Sequence, residues 1–254
     1  MSRNRLPALV FALSLAPALC ASPVQAADLV VSAASSLTDA FQNVAKAYET
    51  KHPGTRVVLN FAASDVLLQQ IANGAPADVF ASADQKAMDK AAAQGAIDKA
   101  SRKNFAANQL VLVVPMSSTL KLSSLKDLNQ PAVKRIAYGD PDSVPVGRYT
   151  KGALEAAGLW QSVSAKAVLA QNVRQSLDYV ARDEVEAGFV FATDAAIATD
   201  KVKVALRVPT TTPISYPIAV VTGSKQPAEA QAFEAFVLSP EGQQLLSTSG
   251  FLKP

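Results

Sequence analysis

The chain has 254 residues, with 24 Lys and Arg against 21 Asp and Glu, one His and one Cys. That length allows one large domain or two modest lobes, and a formal charge of +3 is too small to suggest a nucleic-acid binder. One His and one Cys cannot assemble a His/Cys metal site, a Cys–His nucleophile pair or a CxxC redox centre, and a Ser-His-Asp site would rest on His52 alone. Most hydrolytic chemistry is thereby disfavoured.

The N-terminus carries Arg3 and Arg5, then an apolar run from Leu6 to Leu19, then Val24-Gln25-Ala26. This is the layout of an export leader cleaved after Ala26. The run is shorter than the roughly 20 apolar residues of a membrane span, and Pro7 and Pro17 interrupt it. Leu19 is bulky where a small residue should precede a lipid-modified Cys20, so plain cleavage is expected. Removal of the leader takes away two arginines and the cysteine, leaving a nearly neutral product. No later segment has 18 consecutive apolar residues, and a soluble periplasmic product is expected.

From Asp28 onward, short β-branched runs alternate with segments of helical period. Leu29-Val30-Val31 predicts a strand; Leu37, Phe41, Val44, Ala45 and Tyr48 predict a helix face that Pro53-Gly54 stops. Arg56–Leu59 predicts a second strand, Leu67, Leu68 and Ile71 a shorter helix ended by Asn73-Gly74, and Asp78–Ala81 a third strand before an Ala-rich helix from about Asp84 to Gln94. Leu110–Val114 opens a second series. It continues with strands at Arg135–Tyr138, Ala167–Leu169 and Gly188–Phe191, and with helices from near Val146 to Ala157 and along Val173, Leu177 and Val180. Tyr216–Val221 is extended, and two helices follow, one carrying Phe233, Phe236 and Val237, the other capped by Ser239-Pro240. Strand–helix alternation predicts an α/β chain in two lobes, each a parallel sheet with helices on its faces.

In open α/β sheets, ligands lie beyond the carboxyl ends of the strands, where helices begin. After the first strand comes Ala34-Ser35-Ser36-Leu37-Thr38, and after the second Phe61-Ala62-Ala63-Ser64-Asp65. A single hydroxyl at such a turn reads as an N-cap. Two at equivalent turns, flanked by small residues, begin to look like a site. In the second series Gly139-Asp140-Pro141 with Val144-Pro145-Val146, and Asn172-Val173, lead into helices whose first N–H groups have no intrahelical partner. Such amides, with the partial positive charge of a helix start, can bind an anion without any cationic side chain.

These turns, together with Gly74-Ala75-Pro76-Ala77-Asp78 and Tyr216-Pro217-Ile218-Ala219-Val220-Val221, resemble the periplasmic molybdate-binding proteins of bacterial ABC importers, in register over nearly the whole chain after the leader. The resemblance implies a two-lobed type II periplasmic binding fold with a ligand cleft between the lobes. One lobe would be 27–108 completed by 214–254, the other 109–213. It implies a binding protein rather than an enzyme, with no cofactor. Its cargo would be molybdate or tungstate and its partner an inner-membrane ABC permease, and it would act as a monomer. Ser36 and Ser64 would donate hydroxyl and backbone hydrogen bonds to the oxyanion, and Val146 and Val173 backbone N–H groups. Phe191 stands where the family often has a tyrosine hydroxyl, so a donor is missing or a neighbour such as Thr193 replaces it.

Asp65 stands where a small hydroxyl residue is frequent. It could receive a proton from a phosphate-like ligand, but an outward-facing helix cap is the preferred expectation. Arg148 and Arg174 could meet an anion directly, although surface charges on a first helical turn are at least as well supported. His52 is expected at the surface, Trp160 as a packing anchor, and Asp183-Glu184-Val185-Glu186 as a solvated turn. Two alternatives remain: the same fold holding sulfate or phosphate, and a serine hydrolase using Ser36 or Ser64, which lacks a nearby general base.

Overall fold

The computed structural model describes residues 27–254; the expected leader lies outside the described residues. Five strands of the first sheet are β1 (Ala27–Ala34), β2 (Thr55–Ala62), β3 (Val79–Ala81), β4 (Lys103–Asn108) and, late in the chain, β10 (Ile214–Val220). The second sheet is built from β5 (Leu110–Pro115), β6 (Ile136–Gly139), β7 (Ala167–Ala170), β8 (Ala187–Phe191) and β9 (Val202–Val208). Spatial order is β2-β1-β3-β10-β4 in one and β7-β6-β8-β5-β9 in the other.

The helices of the first unit are α1 (Thr38–Lys51), α2 (Ser64–Ala72) and α3 (Gln85–Ala93). In the second lie α4 (Pro145–Ala156), α5 (Trp160–Ser164), α6 (Val173–Ala181) and α7 (Ala192–Ala196). The chain ends with α8 (Pro227–Leu238) and α9 (Pro240–Thr248). Each helix has a local cause. On α1 the apolar spacing puts Phe41, Val44, Ala45 and Tyr48 on one buried face. Asn73 ends α2 and is followed by Gly74 at φ +85°, a left-handed position that glycine takes without steric cost. Ser239 caps α9 by accepting from the Gly242 N–H at 3.2 Å.

The prediction of purely parallel sheets is corrected. β1 runs parallel to β2 and β3, and β6 parallel to β7 and β8. However, β10 runs antiparallel to β3 and β4, and β5 antiparallel to β8 and β9. The reason is topological. β4 leads directly into β5 across Gln109, and β9 returns into β10, so the strands that pass between the sheets need not follow the right-handed crossovers of the βα units. Asn108 pairs with Ile214, and Leu110 with Val208, so the two crossings lie side by side as a narrow ribbon.

Aromatic side chains anchor both units. Phe41 packs on Phe105 and Phe233, with ring centroids 5.7 and 6.2 Å apart, and Tyr48 on Phe233 at 5.2 Å. In the second unit, Tyr138 packs on Phe189 and Trp160. Each of these rings except the partly buried Trp160 is fully buried and contributes on the order of 1.5–3 kcal/mol of hydrophobic stabilisation. Trp160 is thus the packing anchor expected of it, with the Lys151 ammonium 5.4 Å above its ring. No helix among the described residues is long and apolar enough to cross a membrane.

Candidate functional site

The turns that follow β1, β2, β3, β6 and β7 meet the last residue of β8 around one cavity with about 200 Å³ of empty space. The first unit supplies Ala34-Ser35-Ser36, Ala62-Ala63-Ser64 and Ala83; the second supplies Val144-Pro145-Val146, Asn172-Val173 and Phe191. The structure therefore brings together all five residues singled out from the sequence: Ser36, Ser64, Val146, Val173 and Phe191. Among the described residues, none that lines this cavity is Lys, Arg, His, Asp or Glu.

Backbone geometry explains the convergence. Pro145 occupies the first turn of α4 and has no N–H to leave unpaired, so the next free amide of that turn is Val146. The α4 turn lies against the end of β6 because both facing residues are glycine. A Cβ on Gly147 would sit 1.9 Å from the Gly139 carbonyl oxygen, and one on Gly139 would meet the Val144 side chain at 2.4 Å. Val173 opens α6, and Asn172 caps it by accepting from the Gln175 N–H at 3.0 Å. Ser64 opens α2, and Ser36 lies in a 3₁₀ turn (Ser35–Leu37) that precedes α1.

Neither serine caps its own helix, which removes the simplest structural role for them. Ser64 Oγ accepts from the Ala83 N–H at 3.0 Å, so its own proton is free. Ser36 Oγ lies 3.0 Å from Tyr216 Oη. Phe191 contributes an apolar wall, its ring against Tyr149 and Tyr216. Thr193 lies outside the cavity lining, and its Oγ1 accepts from Asn108 Nδ2 at 2.9 Å.

Two expectations for the charged neighbours are overturned. Asp65 is not an outward-facing cap: Oδ1 accepts from Lys90 at 2.5 Å and Oδ2 from Arg148 Nη2 at 2.6 Å. Arg148 is not a surface charge. Its side chain is 11% exposed, and Nε donates to Asp84 Oδ2 at 2.7 Å. Burial opposes its charge, but the bonds to Asp84 and Asp65 outweigh that and raise its pKa further. Arg174 likewise lies 2.6 Å from Asp194 Oδ1 and 2.7 Å from Asp39 Oδ2. Burial pushes Asp194 up to about 6 despite Arg174. Both arginines thus join the second unit to carboxylates of the first, through Asp65, Asp84 and Asp39, rather than facing the cavity.

His52 stacks on Tyr48, ring centroids 3.9 Å apart, at the far end of α1. A helix of this length separates it from Ser36 by roughly 20 Å. No base for a serine nucleophile comes from there. In the acidic turn, Glu186 accepts from the backbone N–H groups of Lys134 and Arg135, a structural use.

A family model described as bacterial extracellular solute-binding protein matches residues 29–252, nearly all of the described chain. The chain belongs to that family. This solute-binding protein is 39% identical over 229 residues to the molybdate-binding protein ModA of Escherichia coli K12, with 88% of each chain covered. It is 34% identical to ModA of Haemophilus influenzae, covering 89% of this chain and 90% of that one. Among solved structures, the periplasmic molybdate-binding protein of Azotobacter vinelandii superposes with a TM-score of 0.78 at 26% identity, over 89% of this chain and 99% of that one. The fold is the two-lobed one of periplasmic binding proteins, as the resemblance implied. Members of this family carry a solute and neither catalyse a reaction nor need a cofactor, so the hydrolase alternative is set aside.

Proposed function

We propose that this solute-binding protein captures molybdate, or tungstate as its near-isostere, between its lobes and hands it to the membrane permease of an ABC importer. Residues 27–108 with 214–254 would close on 109–213, and the chain would reach the periplasm as a monomer after cleavage at Ala26. The observation that carries this reading is the meeting of four amide-bearing turns and two serine hydroxyls that cap no helix around one cavity, lined by no charged side chain among the described residues. Such a lining suits a tetrahedral dianion, because oriented N–H and O–H dipoles supply the positive potential. In this reading Ser36 and Ser64 donate through hydroxyl and amide, Val146 and Val173 through amide, and Phe191 closes the wall without donating. The ModA relatives support molybdate as the cargo.

The sulfate or phosphate alternative drew on Asp65 and Phe191. Asp65 no longer supports it, since both its oxygens are engaged by Lys90 and Arg148. A thermal-shift and calorimetry panel of molybdate, tungstate, sulfate and phosphate tests the reading. A ligand at a hundredfold excess over its Kd stabilises the folded state by about 2.7 kcal/mol. Molybdate and tungstate should give the largest shifts, and Ser36→Ala or Ser64→Ala should each weaken molybdate by about 1–3 kcal/mol. Molybdate failing to displace bound sulfate would reject the assignment.

A further inference from the structure

Behind Ser36 lies a chain of buried polar groups whose direction can be worked out atom by atom. It begins at Asn108, the last residue of β4, beside the crossing between the sheets. Asn108 Oδ1 accepts from the Gln109 N–H at 2.8 Å. That bond decides the orientation of the amide, because the flipped form would set an NH₂ group against an N–H donor. Nδ2 therefore faces Thr193 Oγ1 at 2.9 Å and Tyr216 Oη at 3.3 Å. It has two protons and no lone pair, so it donates to both. Tyr216 Oη, accepting from Nδ2, turns its single proton to Ser36 Oγ, 3.0 Å away. Ser36 then accepts from Tyr216, and its own proton is left for the cavity. All four side chains are buried, at 7% exposure or less, so water does not replace a missing member. Burial also drives the Tyr216 phenol far above its ordinary range, which keeps the proton in place.

We propose that Asn108 and Tyr216 are positioning residues that lock Ser36 as a donor toward the cavity and so favour oxyanions whose oxygens carry no proton. This rests on the reading that Ser36 touches the oxyanion. Ser64 has the same arrangement with different parts, since the Ala83 N–H fills its acceptor role from behind. A ligand such as hydrogen phosphate would bring its own proton up against the proton that Ser36 already turns to the cavity. A fully deprotonated dianion meets no such conflict.

The test is a double-mutant cycle by titration calorimetry on the full exported chain, with molybdate and inorganic phosphate as probes and thermal unfolding as the check on folding. Tyr216→Phe keeps the ring and removes the relay; it should weaken molybdate about tenfold, the loss of one good hydrogen bond. In a Ser36→Ala background the same change should alter affinity less than about twofold, because no hydroxyl is left to orient. Asn108→Asp replaces a donor by an acceptor and reverses the relay, so the preference for molybdate over phosphate should fall. Additive losses in the cycle, or an unchanged preference in Asn108→Asp, would overturn the proposal, since a purely structural role gives those results. If the wild-type chain binds sulfate in place of molybdate, the cargo assignment fails and the cycle run with sulfate still decides the relay. If it binds no oxyanion, both fall.

Discussion

Arg148 and Asp65 meet at 2.6 Å, Nη2 to Oδ2, although 83 residues separate them and each belongs to a different sheet unit. Arg148 also reaches Asp84, whose other oxygen caps α3 through the Ala87 N–H. One guanidinium thus ties α4 to two helix starts of the opposite unit, close beside the cavity. Replacing it leaves Asp84 without a cation and Asp65 with Lys90 alone. Breaking a buried ion pair costs about 3–5 kcal/mol, and Arg148→Met should fall near the lower end because Lys90 remains. Molybdate affinity should fall with it, since the contact holds the two walls together. Chemical denaturation with and without molybdate checks both. Full stability in the variant would show that the bridge contributes nothing.

Phe191 lines the cavity at the position where the resemblance leads one to expect a tyrosine. Phe191→Tyr adds one donor to a wall that has none there. If the hydroxyl reaches the oxyanion, affinity should rise by about 1 kcal/mol, the net worth of a hydrogen bond. Calorimetry decides it, and equal or weaker binding would place the ring edge away from the ligand.

Gly147 has no room for a methyl group, its added Cβ falling 1.9 Å from the Gly139 carbonyl oxygen and 2.9 Å from the Asp140 carbonyl carbon. Both obstacles are backbone, so α4 itself must withdraw. Overpacking of this kind costs about 1–3 kcal/mol. Gly147→Ala should therefore lower the melting temperature and, by moving the Val146 amide, weaken molybdate more than Ser36→Ala does. Equal affinity with lowered stability would mean that Val146 N–H is not a contact.

Glu234, on α8, is 5% exposed, and burial pushes its pKa up to about 7 from a usual 4.5. The folded chain therefore holds this proton more tightly than the unfolded one. Its favourable contribution is full below pH 4.5 and is lost as pH rises through about 7. Glu234→Gln should leave stability at pH 4 nearly unchanged and raise it at pH 8, by on the order of 1–2 kcal/mol. Urea midpoints across that range give the answer, and a variant less stable at pH 8 would contradict it.

Much of the site was legible because its chemistry lies in short segments. Ser36, Ser64, Val146 and Val173 each lie at the helix start that follows a strand its own residues announce, Phe191 ends such a strand, and turns after strands share one end of a sheet. The strands β4 and β9 were not foreseen. Lys103–Asn108 is short and begins with two exposed polar residues, and Val202–Val208 interleaves Lys and Arg along an edge strand. The antiparallel pairings escaped with them. Asp65, Arg148 and Arg174 were misjudged because a local reading sees a charge on a first helical turn, whereas each finds its partner on another element. Asn108 gave no signal of its own; its importance arises from the junction of two sheets, where it meets Tyr216 and Thr193.

The bridged arginines carry a further consequence. Arg148 is balanced by Asp65 and Asp84, Arg174 by Asp39 and Asp194, and what remains near the cavity is a set of dipoles whose reach is short. Dipoles at contact range are barely screened by dissolved ions, and without a surplus of local cations there is little long-range pull on an approaching anion. Capture should therefore proceed at nearly the same rate in dilute and in briny surroundings, with discrimination arising only once the cargo has entered.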